Sequence, residues 1–156
     1  METLSEMLET VRLLVTHELA IGELYEAYAR RFPDQAELWR GLAAEEREHA
    51  EWLDAMGHRV EAGELAFDAR RFKAPAVRSA LKYLKRRQEE AAAGGVTRRE
   101  ALGTALDIEQ ALLENAYYRA IAGDPVDLRV VLDTLSAGTR EHLARVREAL
   151  DAVRDD

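Results

Sequence analysis

Cysteine is absent from all 156 residues. Its absence excludes disulfides, thiolate catalysis, zinc fingers and a Cys-ligated, rubredoxin-type iron centre within this sequence. Proline occurs only three times and long β-branched runs are missing, while Ala, Leu, Glu and Arg dominate. That balance favours an all-α fold. No apolar run approaches the ~20 residues that span a membrane. The acidic start, from Met1 to Met7, has no basic segment followed by an apolar one, so no signal peptide is expected and the cytoplasm is the expected location. Surplus positive charge is also lacking: 22 Lys and Arg against 30 Asp and Glu give a net charge of -8. Nucleic acid is therefore not the expected partner. What remains is 47% hydrophobic and 33% charged, the make-up of one globular domain spanning residues 1–156.

The first helix is predicted from about Leu4 to Phe32. Its seam reads Met7, Val11, Leu14, Glu18, Ile21, Tyr25, Tyr28 and Phe32, in alternating steps of three and four residues. That is the repeat of antiparallel bundle helices. Glu18 occupies the middle of this apolar seam, whereas Glu23 falls off it and is expected in solvent. A core-facing carboxylate costs several kcal/mol unless it is paired, protonated or bound to metal. Pro33 and Asp34 end the helix, and a second is predicted from near Ala36, with the seam Trp39, Leu42, Glu46, His49, Leu53, Met56 and Val60. The short turn makes the two helices antiparallel neighbours. Counted back to the turn, Glu18 and the Glu46/His49 pair lie within about one helical turn of each other in height.

The stretch from about 57 to 97 is patterned more weakly. Residues 61–75, including Gly63 and Pro75, read as a connection, and Ala76 to Ala93 as an extra helix with Val77, Leu81 and Leu84 on one side. Lys82, Lys85, Arg86 and Arg87 read as its solvated face rather than an anion patch. This stretch is too long for a turn between adjacent helices and long enough for a crossover along a bundle. Thr97 and Glu100 form a capping box for the next helix, whose seam is Leu102, Ala105, Glu109, Leu112, Ala116 and Arg119, ending at Gly123. Glu114 lies off that seam. Asp124-Pro125 predicts an N-cap followed by proline at the first helical position. The last helix carries Leu128, Leu132, Leu135, Thr139, His142, Val146, Ala149 and Val153.

The two halves repeat. Glu18 precedes Glu46-x-x-His49 across one turn, and Glu109 precedes Thr139-x-x-His142 across another. Two helix pairs joined by a crossover, each offering a carboxylate and an x-x-His pair, form the pattern of a di-iron carboxylate bundle. Carboxylate and imidazole suit first-row divalent ions. Taken singly, each residue has a plainer reading: a solvated or ion-paired Glu46/His49, ion-paired seam carboxylates, a hydrogen-bonded core His142, and Tyr25 and Tyr28 as packing aromatics. Together, three carboxylates and two imidazoles on facing seams make metal the better reading. Arg119, the one cationic seam residue, sits about 15 Å from Glu109 along the helix axis, too far to neutralise it. His17 and His58 fall off the seams and receive no role.

With Glu18, then Tyr25 seven residues on, then Glu45-Glu46-Arg47-Glu48-His49-Ala50, the chain resembles the ferritin-like superfamily, nearest to its rubrerythrin-type branch, over nearly its whole length. The resemblance implies an antiparallel four-helix bundle with a long crossover between its second and third helices. It implies that Glu18 and His49 serve one iron, Glu109 and His142 the other, and that Glu46 bridges them. One or two iron ions are expected, with manganese an alternative, and the expected chemistry is that of a non-haem iron oxidoreductase of peroxidase or ferroxidase type, or iron handling. Oxygen or peroxide would be the reactant, an unknown and separate electron donor would be needed, and a homodimer is allowed.

The departure is Thr139. The family pattern places a second bridging Glu there, so three carboxylates face two divalent ions and leave positive charge over. Glu141 is no substitute, because two residues along a helix turn it roughly 160° from the seam. Thr139 leaves room for a water, a small ligand or a mononuclear arrangement. The alternative is a degenerate bundle in which protonated histidines pair with the carboxylates. It would have no redox activity and would act as a structural or protein-interaction module.

Overall fold

A threonine capping box launches the first helix of each half. In α1 (Leu4–Arg31) the Thr3 hydroxyl accepts from the Glu6 N–H at 3.1 Å, while the Thr3 N–H donates to the Glu6 carboxylate at 2.8 Å. Thr97 and Glu100 repeat this at α4 (Arg98–Glu114), with distances of 3.0 and 3.1 Å. Each box satisfies two otherwise orphaned backbone donors. These helices belong to a computed structural model that describes residues 3–114, 119 and 122–153. Between them lie α2 (Ala36–Glu61), entered through a 3-10 turn at Pro33–Gln35, and α3 (Ala74–Ala93), which stops at Gly94; α5 (Val126–Ala152) follows α4. Among the described residues there is no strand, and the all-α expectation holds. No helix among them is long and apolar enough to cross a membrane.

α1 packs against α2 on one side and α3 on the other; α5 packs against both α4 and α2. All of the α1 and α2 seam residues named from the sequence are buried, and so are Leu102, Ala105, Glu109 and Leu112 of α4. On α5, Leu128, Leu132, Leu135, Thr139, His142 and Val146 are buried as well. One continuous apolar core runs through all five helices. Trp39 fills the α1/α2 interface, its ring 5.5 Å from Tyr25 and 4.9 Å from Tyr28. Aromatic contacts at that spacing add about 0.5–1.5 kcal/mol beyond the burial itself. At Gly57 a Cβ would stand 2.9 Å from a Val11 methyl, so the two helices meet closely there because α2 carries no side chain.

Several local expectations change. Asp124 does not cap α5: its carboxylate accepts from the Arg71 guanidinium at 2.9 and 3.0 Å, and α5 starts at Val126 with no side-chain cap. Arg71 Nη1 reaches both carboxylate oxygens, and such a charge-assisted contact is stronger than a bond to a neutral backbone N–H. Pro75 belongs to the first turn of α3, which begins two residues before Ala76. Proline is compatible there because first-turn N–H groups have no intrahelical acceptor. Arg119 is exposed and outside α4, while Ala116 falls outside the described residues. Lys82, Lys85 and Arg86 are exposed, and Arg87 lies over the Tyr83 ring and pairs with Glu90.

Candidate metal centre

Helical spacing turns Glu18 of α1, Glu46 and His49 of α2, Glu109 of α4 and His142 of α5 to the same interior point, and all five are buried. Glu23, Glu114 and Glu141, which fall off the seams, are exposed. The five buried groups form two triads, Glu18–Glu46–His49 and Glu46–Glu109–His142, and in each triad the ligand atoms lie within 4.8 Å of one another. Glu46 belongs to both. His49 Nδ1 stands 3.4 Å from Glu46 Oε2 and 3.9 Å from Glu18 Oε2. His142 Nδ1 stands 2.9 Å from Glu46 Oε1 and 3.4 Å from Glu109 Oε1. The two imidazoles stack at 5.3 Å, tilted by only 16°.

Burial in this company shifts the acid–base groups. Burial, reinforced by the neighbouring Glu46, pushes the Glu18 carboxyl up to about 8. For His49, burial alone would favour the neutral ring, but Glu18 and Glu46 outweigh it and raise it to about 10. His142 follows the same pattern, with Glu109 and Glu46 lifting it to about 9. In metal-free protein, each of these raised groups holds a proton that the unfolded chain has already released at higher pH. The histidine contribution to stability is therefore full below about 6.5 and is lost as pH rises toward 9 and 10. Glu18 acts in the same direction between its ordinary 4.5 and about 8. Metal-free protein should lose thermal stability from pH 6.5 to 9. Protein loaded with a divalent ion should show a much flatter profile, because ligation has already removed those protons. Parallel melting curves across that range check this, and equal slopes with and without metal would refute it.

Tyr25 supports the second triad from α1: its hydroxyl donates to Glu109 Oε1 at 2.7 Å within the core. Burial and the adjacent Glu109 and Glu46 push the phenol well above its ordinary value, so it stays a donor. Tyr25→Phe should cost about 1–3 kcal/mol, the usual penalty for leaving a buried acceptor without its donor. Urea midpoints read that loss, which should shrink when a cation contacts Glu109.

On α5 the chain is cut back to admit these groups. A Cβ at Gly138 would lie 2.6 Å from His49 Nε2 and 3.0 Å from its Cε1, so the His49 ring rests directly on the α5 backbone. Gly138→Ala should displace that ring at a cost of about 1–3 kcal/mol, the range for overpacking a dense core. A weakened metal affinity together with a lowered melting temperature is the expected result; an unchanged affinity would show that the ring does not need this seat. Thr139, next in sequence, is buried, and its hydroxyl donates to the Leu135 carbonyl of its own helix at 2.9 Å. No carboxylate comes from α5.

No family model matches this chain, and no curated protein or solved structure matches it either. What the centre can hold must therefore be judged from its own atoms. Glu46 Oε2, His49 Nδ1 and Glu109 Oε2 are buried without a hydrogen bond. A buried polar atom without a hydrogen-bond partner costs about 1–3 kcal/mol in a dry interior. His49 Nδ1 and Glu46 Oε2, 3.4 Å apart, belong to the first triad and Glu109 to the second, so a divalent cation in each triad would supply the missing partners. The mixed carboxylate and imidazole set suits iron, manganese or zinc better than calcium or magnesium.

His17 falls off the α1 seam, yet it is buried. α3 covers a second face of α1, and Thr10, His17 and Leu24, spaced by seven, are buried outside the seam. That second stripe is visible in the sequence. Burial lowers His17, opposing its protonation. His58 is exposed beside Asp54.

Proposed function

We propose that this protein is a ferritin-like bundle of the rubrerythrin type that binds one or two divalent ions, iron foremost, for oxygen or peroxide chemistry or for iron handling. The observation that carries this reading is the sharing of Glu46 between two buried triads, since one carboxylate serving two ligand sets is the arrangement of a bridged dinuclear centre. Two helix pairs separated by a long connection that carries α3 support it further. In this reading Glu18 and His49 hold one ion, Glu109 and His142 the other, and Glu46 spans both. Bound iron would supply electron exchange with oxygen or peroxide and Lewis acidity. The chain's own part would be to hold carboxylates that can change their coordination, keep the ligands buried, and hold a phenol proton at Tyr25 beside Glu109. With no cysteine in the chain, electrons for a peroxidase cycle would come from a separate protein or reductant.

Purification without chelator, followed by metal analysis and addition of Fe(II) in air, tests the proposal. Near-stoichiometric metal and an oxygen-dependent absorbance are expected. A second reading has its own support: His49 and His142, held protonated, already pair with the carboxylates and balance a metal-free core. Such a bundle would serve as a structural or protein-interaction module. Trace metal, with no absorbance change on adding Fe(II), would select it.

A further inference from the structure

The two histidines differ in what meets the far side of the ring. His49 turns Nδ1 toward Glu18 and Glu46 and rests its other edge on Gly138. His142 also points Nδ1 into the centre, but its Nε2 is buried and makes no hydrogen bond. The nearest carboxylate to that nitrogen is Glu45 Oε2, at 3.8 Å. Glu45 precedes Glu46 on α2, yet it reaches across to α5 at the rim of the centre, where it is about one-third exposed and ion-paired with Arg145. Arg145 lies one turn beyond His142, so the same turn of α5 carries the imidazole and the cation that fixes Glu45.

We propose that Glu45 is a positioning residue for the metal centre, its carboxylate accepting the His142 Nε2 hydrogen bond when Nδ1 ligates an ion, with Arg145 holding it in reach. This rests on the metal-binding reading above. The chemistry requires such an acceptor: a ring that gives its Nδ1 lone pair to a metal carries its proton on Nε2, and a buried N–H without a partner is costly. A closing movement of less than 1 Å brings 3.8 Å into hydrogen-bond range. The outer partner then fixes both the tautomer and the ring direction.

Cobalt(II) and zinc(II) titrations of the full chain test this in wild type, Glu45→Ala, Glu45→Gln and Arg145→Ala. Glu45→Ala should weaken binding about 10- to 100-fold, the usual effect of removing such a partner. Glu45→Gln, which keeps an acceptor oxygen, should recover most of that loss. Arg145→Ala removes the ion pair but leaves the carboxylate, and should lose much less than Glu45→Ala. In the zinc form, proton–nitrogen correlation spectra should show a slowly exchanging His142 Nε2–H that Glu45→Ala makes fast. Equal affinities for wild type and Glu45→Ala, or a His142 Nε2–H that exchanges alike in both, would overturn the role of Glu45 while leaving metal binding intact. Failure of wild type itself to bind either ion would overturn both.

Discussion

Glu46→Ala should abolish metal binding altogether. Most single-ligand changes in a dinuclear centre remove one ion, but Glu46 is the only residue common to both triads. Without it, one triad keeps Glu18 and His49 and the other Glu109 and His142, two ligands each, too few to hold an ion against water. The change also removes the group nearest to both imidazoles, at 3.4 Å from His49 and 2.9 Å from His142. In the metal-free variant both rings should titrate at lower pH than in wild type, because the carboxylate that helped raise them is gone while burial still favours the neutral form. Equilibrium dialysis against Zn(II) or Fe(II) gives the first result, and imidazole NMR titration the second. Glu23→Ala, one carboxylate removed from an exposed position, should bind like wild type. Retention of one full equivalent by Glu46→Ala would show that the triads do not act through a shared bridge.

Thr139→Glu should divide the protein's behaviour according to metal. In the metal-free state it adds a fourth carboxylate to a buried cluster that already holds Glu18 protonated up to about 8. Burying another such group without a partner costs several kcal/mol, a large share of the stability of an ordinary domain. With divalent metal present the sign reverses. Four carboxylates balance the charge of two ions, the new side chain stands one residue after the Gly138 seat of His49, and binding energy becomes folding energy. The expected pattern is a melting temperature well below wild type with chelator, above wild type with metal, and a stoichiometry nearer two. If added metal leaves the variant as unstable as before, position 139 does not reach the ions.

The seams were legible because three-and-four spacing survives even where a carboxylate interrupts it. Glu18, Glu46, His49, Glu109 and His142 were readable as inward-facing for that reason, and the structure buries each of them. Helix starts marked by Thr-x-x-Glu were equally plain. Legibility failed where a second partner decides the outcome. The seven-residue spacing of Thr10, His17 and Leu24 marks a second stripe on α1, but that α3 is what covers it follows from long-range packing. Asp124 looked like a cap until Arg71, 53 residues earlier, was seen to hold it. Gly138 is silent in the sequence because glycine within a helix gives no sign of what lies against it, although the short run Ser136-Ala137-Gly138-Thr139 marks a place where α5 is thin. Glu45 was hidden by its neighbour: beside an inward Glu46 it reads as surface, and only the tertiary structure brings it near His142.

The sharing of Glu46 also sets an order of assembly. Glu18, Glu46 and His49 lie on consecutive helices, α1 and α2, that pack extensively on each other, so the three residues of this triad come together within one hairpin before Gly138 of α5 seats the His49 ring. The other requires Glu46 to meet His142, 96 residues later, after α3, α4 and α5 are in place. Contacts of low sequence separation form early, and a chain leaving the ribosome presents its N-terminal hairpin first. One half of the ligand set can therefore be brought together while the sequence that completes the other half is still being made.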